Sequence, residues 1–301
     1  MMRIKNGKSI GMAVAVAMLV SANLASAQLS LNGPTTNWVA IIVGSTIPDW
    51  YGDQQTGQPE SDLVGTNGHP CFFMAFNGNG PQSNTDGTLA FRVRLSRESN
   101  PPGFDNVLFI GVDANADGAL DLFLGVNSTS IFMAPPGSGA NVSPSTTTVQ
   151  TPIYTSNRVA GVNYSWDTVN ATTDPVATSY DLDGNGTDRF LSFAVPFTNV
   201  VLSLAARGIT GVTDQTPLRY VVATATQMNA INQDLLGPQG MVSSASTWAA
   251  LGSISEPYAT ILVPEPSSAL LVAAGLGFLP ASAPAAVPLR TWGSVDREDV
   301  S

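Results

Sequence analysis

Alternation of apolar and polar side chains with a period of two constrains this chain most, because that spacing sorts residues onto the two faces of an extended strand. In Thr88–Ser96, Leu89, Phe91, Val93 and Leu95 fall on one face, and Ala90, Arg92, Arg94 and Ser96 on the other. This predicts a strand with one face on the core. Trp38–Val43, Cys71–Phe76, Val107–Val112, Leu120–Val126, Phe190–Val195 and Tyr220–Thr226 read as further strands, several rich in Val, Ile and Phe. Short strands separated by Gly, Pro, Asn and Asp turns predict an all-β fold, a single β-sandwich of jelly-roll or Ig-like type. One short crossover helix is expected over Val200–Arg207, capped by Thr198 or Asn199 and ended by Gly208. Pro135–Thr151 reads as a long surface loop, and Gln227–Gln239 as a loop or irregular edge.

The two ends are of another kind. Arg3, Lys5 and Lys8 precede the apolar stretch Ile10–Val20, and Ala25 and Ala27 supply the small residues of a signal-peptidase site. Residues 1–27 are therefore expected to be a signal peptide and residues 28–262 the sandwich domain. Near the other end, Pro264, Glu265 and Pro266 open onto the apolar run Ala269–Leu279. This arrangement resembles the PEP-CTERM sorting signal of exported bacterial proteins, in which the tripeptide precedes a membrane-spanning segment and an arginine cluster. The resemblance covers residues 263–301. It implies an exosortase-type sorting machinery as partner, transient membrane contact through the C-terminal segment, and a destination at the cell surface or extracellular matrix. After Leu279 the chain departs from that pattern: Pro280, Pro284 and Pro288 follow, with Arg290 and Arg297 as the only basic residues. A frameshift near Pro280 is the reading that accounts for this departure.

Charge narrows the partners. The formal net charge is −10, both lysines lie within the first 27 residues, and the seven arginines of residues 28–262 form no basic stripe, which argues against a nucleic-acid backbone as partner. Cys71 is the only cysteine, so no intrachain disulfide supports an exported fold, and stability must come from the core or from bound metal.

The clearest chemical motif lies between two expected strands: Asp113, Asn115, Asp117 and Asp121, with Gly118 to turn the chain. Oxygen side chains at alternate positions suit a hard cation such as Ca²⁺, which takes six to eight oxygens. The loop resembles the Asp-rich loops of calcium-binding extracellular proteins, including the first half of an EF-hand, but Leu124 stands where an EF-hand places its bidentate acid. A second cluster, Asp181, Asp183, Asn185 and Asp188, precedes another strand. Asp-Gly and Asn-Gly also form tight turns without metal, so ligand and turn chemistry compete at both loops.

Catalytic signals are weaker. His69 and Cys71 form an imaginable pair, but the apolar run Cys71–Met74 points to a buried structural thiol. A pair of acids facing each other across a cleft, as in glycoside hydrolysis, would leave no local signature. Among Trp38, Trp50, Tyr51, Tyr164 and Trp166, only Trp50 and Tyr51 sit in a turn-rich segment, where exposed rings could stack on sugars. The expectation is a non-enzymatic, calcium-stabilised surface or matrix protein contacting exopolysaccharide or other surface proteins. A carbohydrate-binding module is the first alternative and a polysaccharide hydrolase the second.

Overall fold

A computed structural model of the chain describes residues 29–43, 49–78, 83–99, 103–240 and 246–260. The expected signal peptide with Ala25 and Ala27, and the segment with Pro264, Glu265 and Pro266, lie outside the described residues.

The strands run in chain order β1 (Val39–Ala40), β2 (Phe72–Asn77), β3 (Thr88–Arg97), β4 (Val107–Asp113), β5 (Leu122–Val126), β6 (Ser130–Ala134), β7 (Tyr154–Asn157), β8 (Tyr164–Thr168), β9 (Asp188–Pro196), β10 (Pro217–Ala225), β11 (Asp234–Leu235) and β12 (Tyr258–Ala259). They form two antiparallel sheets, one ordered β1-β2-β3-β9-β8 and the other β11-β10-β4-β5-β6-β7, with β12 also on β10. The fold is an all-β sandwich. Leu89, Phe91, Val93 and Leu95 of β3 point into the core between the sheets, where they meet Ile110, Leu124, Met133, Tyr220 and Val222 of the opposite sheet.

Both outer faces are covered as well. Over the seven-stranded sheet, the long connections bring Ala140, Ile231 and Trp248 onto Phe109, Phe123, Phe132 and Val221. Trp248 is fully buried and donates from Nε1 to the Ala140 carbonyl at 2.6 Å. Double coverage explains why β4 and β5 read as nearly unbroken apolar runs, since no face of either strand meets water. It also explains Gly125: a Cβ there would sit 2.3 Å from Phe132 Cζ and 2.5 Å from the Leu108 carbonyl oxygen.

Over the five-stranded sheet, Leu31, Trp38 and Val169 pack on Phe73, Ala90, Phe190 and Ala194. This layer corrects the expectation for β3, whose second face is buried too. Arg92 and Arg94 both have 0% exposure. Arg92 donates to the carbonyls of Leu31 (2.6 Å) and Gly33 (2.8 Å) and to Ser192 Oγ (2.9 Å), with its guanidinium 4.4 Å from the Trp38 ring centre. Desolvation lowers its pKa to about 10, which leaves it charged at neutral pH. Arg94 donates to Asp188 Oδ2 from two nitrogens at 2.7 Å, and to the Ser179 carbonyl at 3.0 Å.

Other expectations shift at their edges. Of Trp38–Val43, only Val39–Ala40 pairs as a strand, and Val43 makes an isolated bridge to Ser255. The helix α1 spans Phe197–Ala205, begins after Pro196 and has no side-chain cap, because the Thr198 hydroxyl donates to the Thr85 carbonyl instead. Gly208 closes its end at φ +88°, donating to Ala205. Strands β6, β7 and β8 were not expected, while Pro135–Thr151 is the loop anticipated.

Arg94 is the only ion-pair partner of Asp188 among the described residues, and replacing it by Met leaves that buried carboxylate without this counter-charge. Arg94→Met is expected to lower unfolding free energy by about 3–5 kcal/mol. Urea denaturation checks this, and the double variant Arg94→Met/Asp188→Leu should recover part of the loss.

Candidate functional site

Acidic side chains gather along one edge of the sandwich, and a β-bulge places them there. The β3–β9 register shifts between Leu95 and Arg97, which frees Ser96 from the ladder. Its amide donates to the Asp62 carbonyl (2.9 Å) and its hydroxyl to Asp183 Oδ2 (2.6 Å), so one residue ties together two acidic segments.

The first of these segments is the expected loop before β9. Asp181, Asp183 and Asp188 each bring one carboxylate oxygen within 4.8 Å of the others. Much of their hydrogen-bonding capacity is already used. Asp181 accepts from the amides of Gly184 (2.8 Å) and Gly186 (3.2 Å), Asp183 from the Asn185 amide (3.1 Å), and Asp188 from Arg94. Burial raises the Asp188 pKa to about 6, against the attraction of Arg94.

The second segment contains a group that the sequence does not mark. Asp49 and Asp53 flank Trp50 and Tyr51, and each has one carboxylate oxygen within 4.8 Å of the other and of Asp234 on β11. Asp234 Oδ2 accepts the Leu63 amide at 2.7 Å and Oδ1 its neighbour Leu235 at 2.7 Å. Asp62 accepts the Gly52 amide through both oxygens, at 3.0 and 3.2 Å, and so pins the turn that carries the aromatic pair. Gly52 has φ +70°, which favours glycine at the tip of that turn. Trp50 is 44% exposed and Tyr51 42%, as expected for this segment, whereas Trp38 and Tyr164 are buried.

Electrostatics set this second group apart. Among the described residues, every ion pair involves Arg94 or Arg189, and none involves Asp49, Asp53, Asp62 or Asp234. Asp49 Oδ2 and Asp53 Oδ1 are buried atoms with no hydrogen-bond partner. Burial pushes Asp49 and Asp234 well above the usual carboxylate range, with neighbouring carboxylates adding to the shift, and it raises Asp62 to about 7.

The remaining motif stands elsewhere. Asp113 pairs with Arg219 and Asp234 with Thr224 on β10, five residues apart, so the Asp113 loop lies roughly 17 Å along the strand from the acidic edge. Its side chains form Asx turns. Asp113 accepts Gly118 (3.1 Å), Asn115 accepts Asp117 (3.1 Å), Asp117 accepts Ala119 (2.8 Å) and Asp121 accepts Ala114 (2.8 Å). Asp113 Oδ1 remains buried and without a partner, but the loop's carboxylates do not converge as the other two groups do among the described residues.

Cys71 is buried and donates its thiol to the Arg94 carbonyl at 3.3 Å, and burial raises its pKa well above the usual thiol value, the setting of an inert structural cysteine. His69 sits before β2 in a turn closed by Thr66 and contacts Thr178 Oγ1 at 3.0 Å. A cleft of about 600 Å³ opens beside Pro59, lined by Glu60, Arg97, Glu98, Asp105 and Asn106 among others. Glu60 accepts Asn106 Nδ2 at 2.9 Å through Oε1, while Oε2 is buried without a partner. No protein family, curated protein or solved structure matches this chain.

The residues missed by sequence reading share one property, which is distance along the chain. Asp49 and Asp53 meet Asp234 only through the fold, and no spacing rule links them.

The raised pKa values set the direction of a pH effect. A carboxyl whose folded pKa exceeds its unfolded value near 4 stabilises the fold fully below that value, and its contribution is lost as pH rises through the folded pKa. For Asp188 and Asp62 the folded values are about 6 and about 7. In chelator, melting temperature should therefore fall between pH 5 and pH 8, with Asp62 alone contributing on the order of 2–3 kcal/mol. Asp62→Asn keeps an acceptor for Gly52 but does not titrate, so it should flatten the slope in a thermal-melt series.

Proposed function

We propose that this chain is an exported, non-enzymatic structural and interaction protein of the bacterial cell surface or extracellular matrix. Its contact surface centres on Trp50 and Tyr51, and neutral glycans of an exopolysaccharide are the partner that this surface suits. The observation that carries the reading is the exposed aromatic pair on a turn clamped by Asp62. Aromatic faces pack on the apolar faces of pyranose rings, and a rigid turn limits the entropy lost on contact. The export-type N-terminus and the resemblance of residues 263–301 to a PEP-CTERM signal support the location. Calcium enters as a stabiliser of the Asp113 and Asp181 loops, supported at the first by the unpartnered Asp113 Oδ1 and at the second by the convergence of three carboxylates.

Retention of the full chain on insoluble polysaccharides is the test. Trp50→Ala and Tyr51→Ala should each weaken it roughly three- to tenfold, the worth of one aromatic contact, with little change in melting temperature. Retention that ignores both substitutions would remove the aromatic turn from the reading.

A second reading, a polysaccharide hydrolase, is favoured by the cleft at Glu60. Burial raises the Glu60 pKa, and the charges of Asp105 and Glu98 act in the same direction, as a general acid requires. On this reading the protein releases reducing sugar from a polysaccharide, and Glu60→Gln abolishes the release.

A further inference from the structure

The structure assigns a calcium site to Asp49, Asp53 and Asp234, distinct from both Asp-rich loops and independent of the glycan reading. Three ligand oxygens on a sphere of Ca²⁺–O radius near 2.4 Å lie at most about 4.8 Å apart. The three carboxylates here meet that limit. Spacing alone would describe many acidic clusters. What separates this one is the state of its oxygens: Asp49 is 2% exposed, and its Oδ2 has no hydrogen-bond donor. Asp53 Oδ1 is likewise buried and unpartnered, and so is Oε1 of the adjacent Gln54. Acceptors taken from water and offered no donor are costly, and among the described residues no Arg or His forms an ion pair with this group. A hard divalent cation satisfies every one of these conditions, since it needs oxygen donors only and supplies the missing charge.

The comparison with Asp181, Asp183 and Asp188 sharpens the assignment. There Arg94 provides the counter-charge and backbone amides take up the lone pairs. At Asp49 and Asp53 a backbone amide reaches one oxygen of each, from Gly237 at 3.3 Å and from Gly240, while the other oxygen, Asp49 Oδ2 and Asp53 Oδ1, is buried without a partner.

The ligands also explain what the ion does. Asp234 belongs to β11 at the edge of the seven-stranded sheet, while Asp49 and Asp53 bracket the turn of Trp50 and Tyr51. One ion therefore fastens that turn to the sheet edge, beside the existing bonds from Leu63 to Asp234 and from Thr224 Oγ1 to the Ser61 carbonyl (2.6 Å). Calcium at this point holds the aromatic pair in place without touching it.

Calorimetric titration of the chelator-stripped full chain with CaCl₂ tests the assignment, with melting temperature recorded in calcium and in chelator. Asp49→Asn and Asp53→Asn should each weaken one binding event at least about tenfold and shrink the calcium-dependent rise in melting temperature. Asp53 is partly exposed on a loop, so its variant reports even if Asp49→Asn does not fold. Asp113→Asn and Asp181→Asn should leave that event intact. Absence of calcium binding, or binding lost in Asp113→Asn or Asp181→Asn but kept in Asp53→Asn, overturns the assignment. Glycan retention is scored separately, so failure of the metal site and failure of the surface reading are told apart.

Discussion

Arg94 is the contact on which the acidic edge of this sandwich depends. It stands in the middle of the five-stranded sheet with no exposure, yet its charge is matched by Asp188 at 2.7 Å, Nη2 also donates to the Ser179 carbonyl, and Nη1 lies 3.7 Å from Asp174. Its backbone bonds to Cys71 on one side and receives the Val64 amide through its carbonyl. One residue thus positions the start of β9, the loop of Asp181 and Asp183, and the segment that leads to Asp62. A buried ion pair is weak support for stability in general, because desolvation offsets most of the attraction. Its effect here is on placement: the guanidinium ties Asp188 and the Ser179 carbonyl, on either side of the acidic loop, to β3.

Arg92, two residues earlier, solves the same problem without a carboxylate. Three oxygens and two aromatic rings surround it, drawn from the segment that starts at Leu29 and from β9. The two arginines therefore anchor a covering layer on the outer face of the sheet, and that layer turns an open two-sheet sandwich into one with both outer faces protected. Exposed sheet faces and edges are sites of unwanted pairing, and the coverage protects both faces in a chain whose single cysteine forms no intrachain disulfide.

How much of this was legible follows from what a period of two can report. Alternation in Thr88–Ser96 located β3 and identified Leu89, Phe91, Val93 and Leu95 as its core face. It says that the two faces differ and not which of them is wet, so the burial of Arg92 and Arg94 had to come from the structure. Strands β7 and β8 escaped because Ser, Thr, Asn and Tyr carry most of their positions, and β6 because Ile131–Ala134 is a short apolar run without alternation. The helix start was misplaced because a hydroxyl suited to capping, on Thr198, found the Thr85 carbonyl instead. Local acid clusters were visible because their members are neighbours in sequence. Asp49 and Asp234 stand far apart in the chain and meet only in the fold, where Asp49 also accepts the Gly237 amide just after β11, and nothing local announces that contact.

Counter-charge then becomes the scarce commodity of this fold. Residues 28–262 contain seven arginines and no lysine. Arg92 is held by carbonyls, Arg94 by Asp188 and Arg189 by Glu98, the last at 2.5 Å. Among the described residues no arginine forms an ion pair with the acidic edge of Asp49, Asp53, Asp62 and Asp234, which leaves protons or a cation from the medium to neutralise it. Protons supply part of that neutralisation: burial raises Asp49 and Asp234 well above the usual carboxylate range and Asp62 to about 7, so Asp62 gives up its proton as pH rises through neutrality. A cation has no such limit, and its binding releases whatever protons remain. The proposed calcium would complete an electrostatic balance that no ion pair among the described residues closes, and it would couple the rigidity of the Trp50–Tyr51 turn to the ionic composition of the medium.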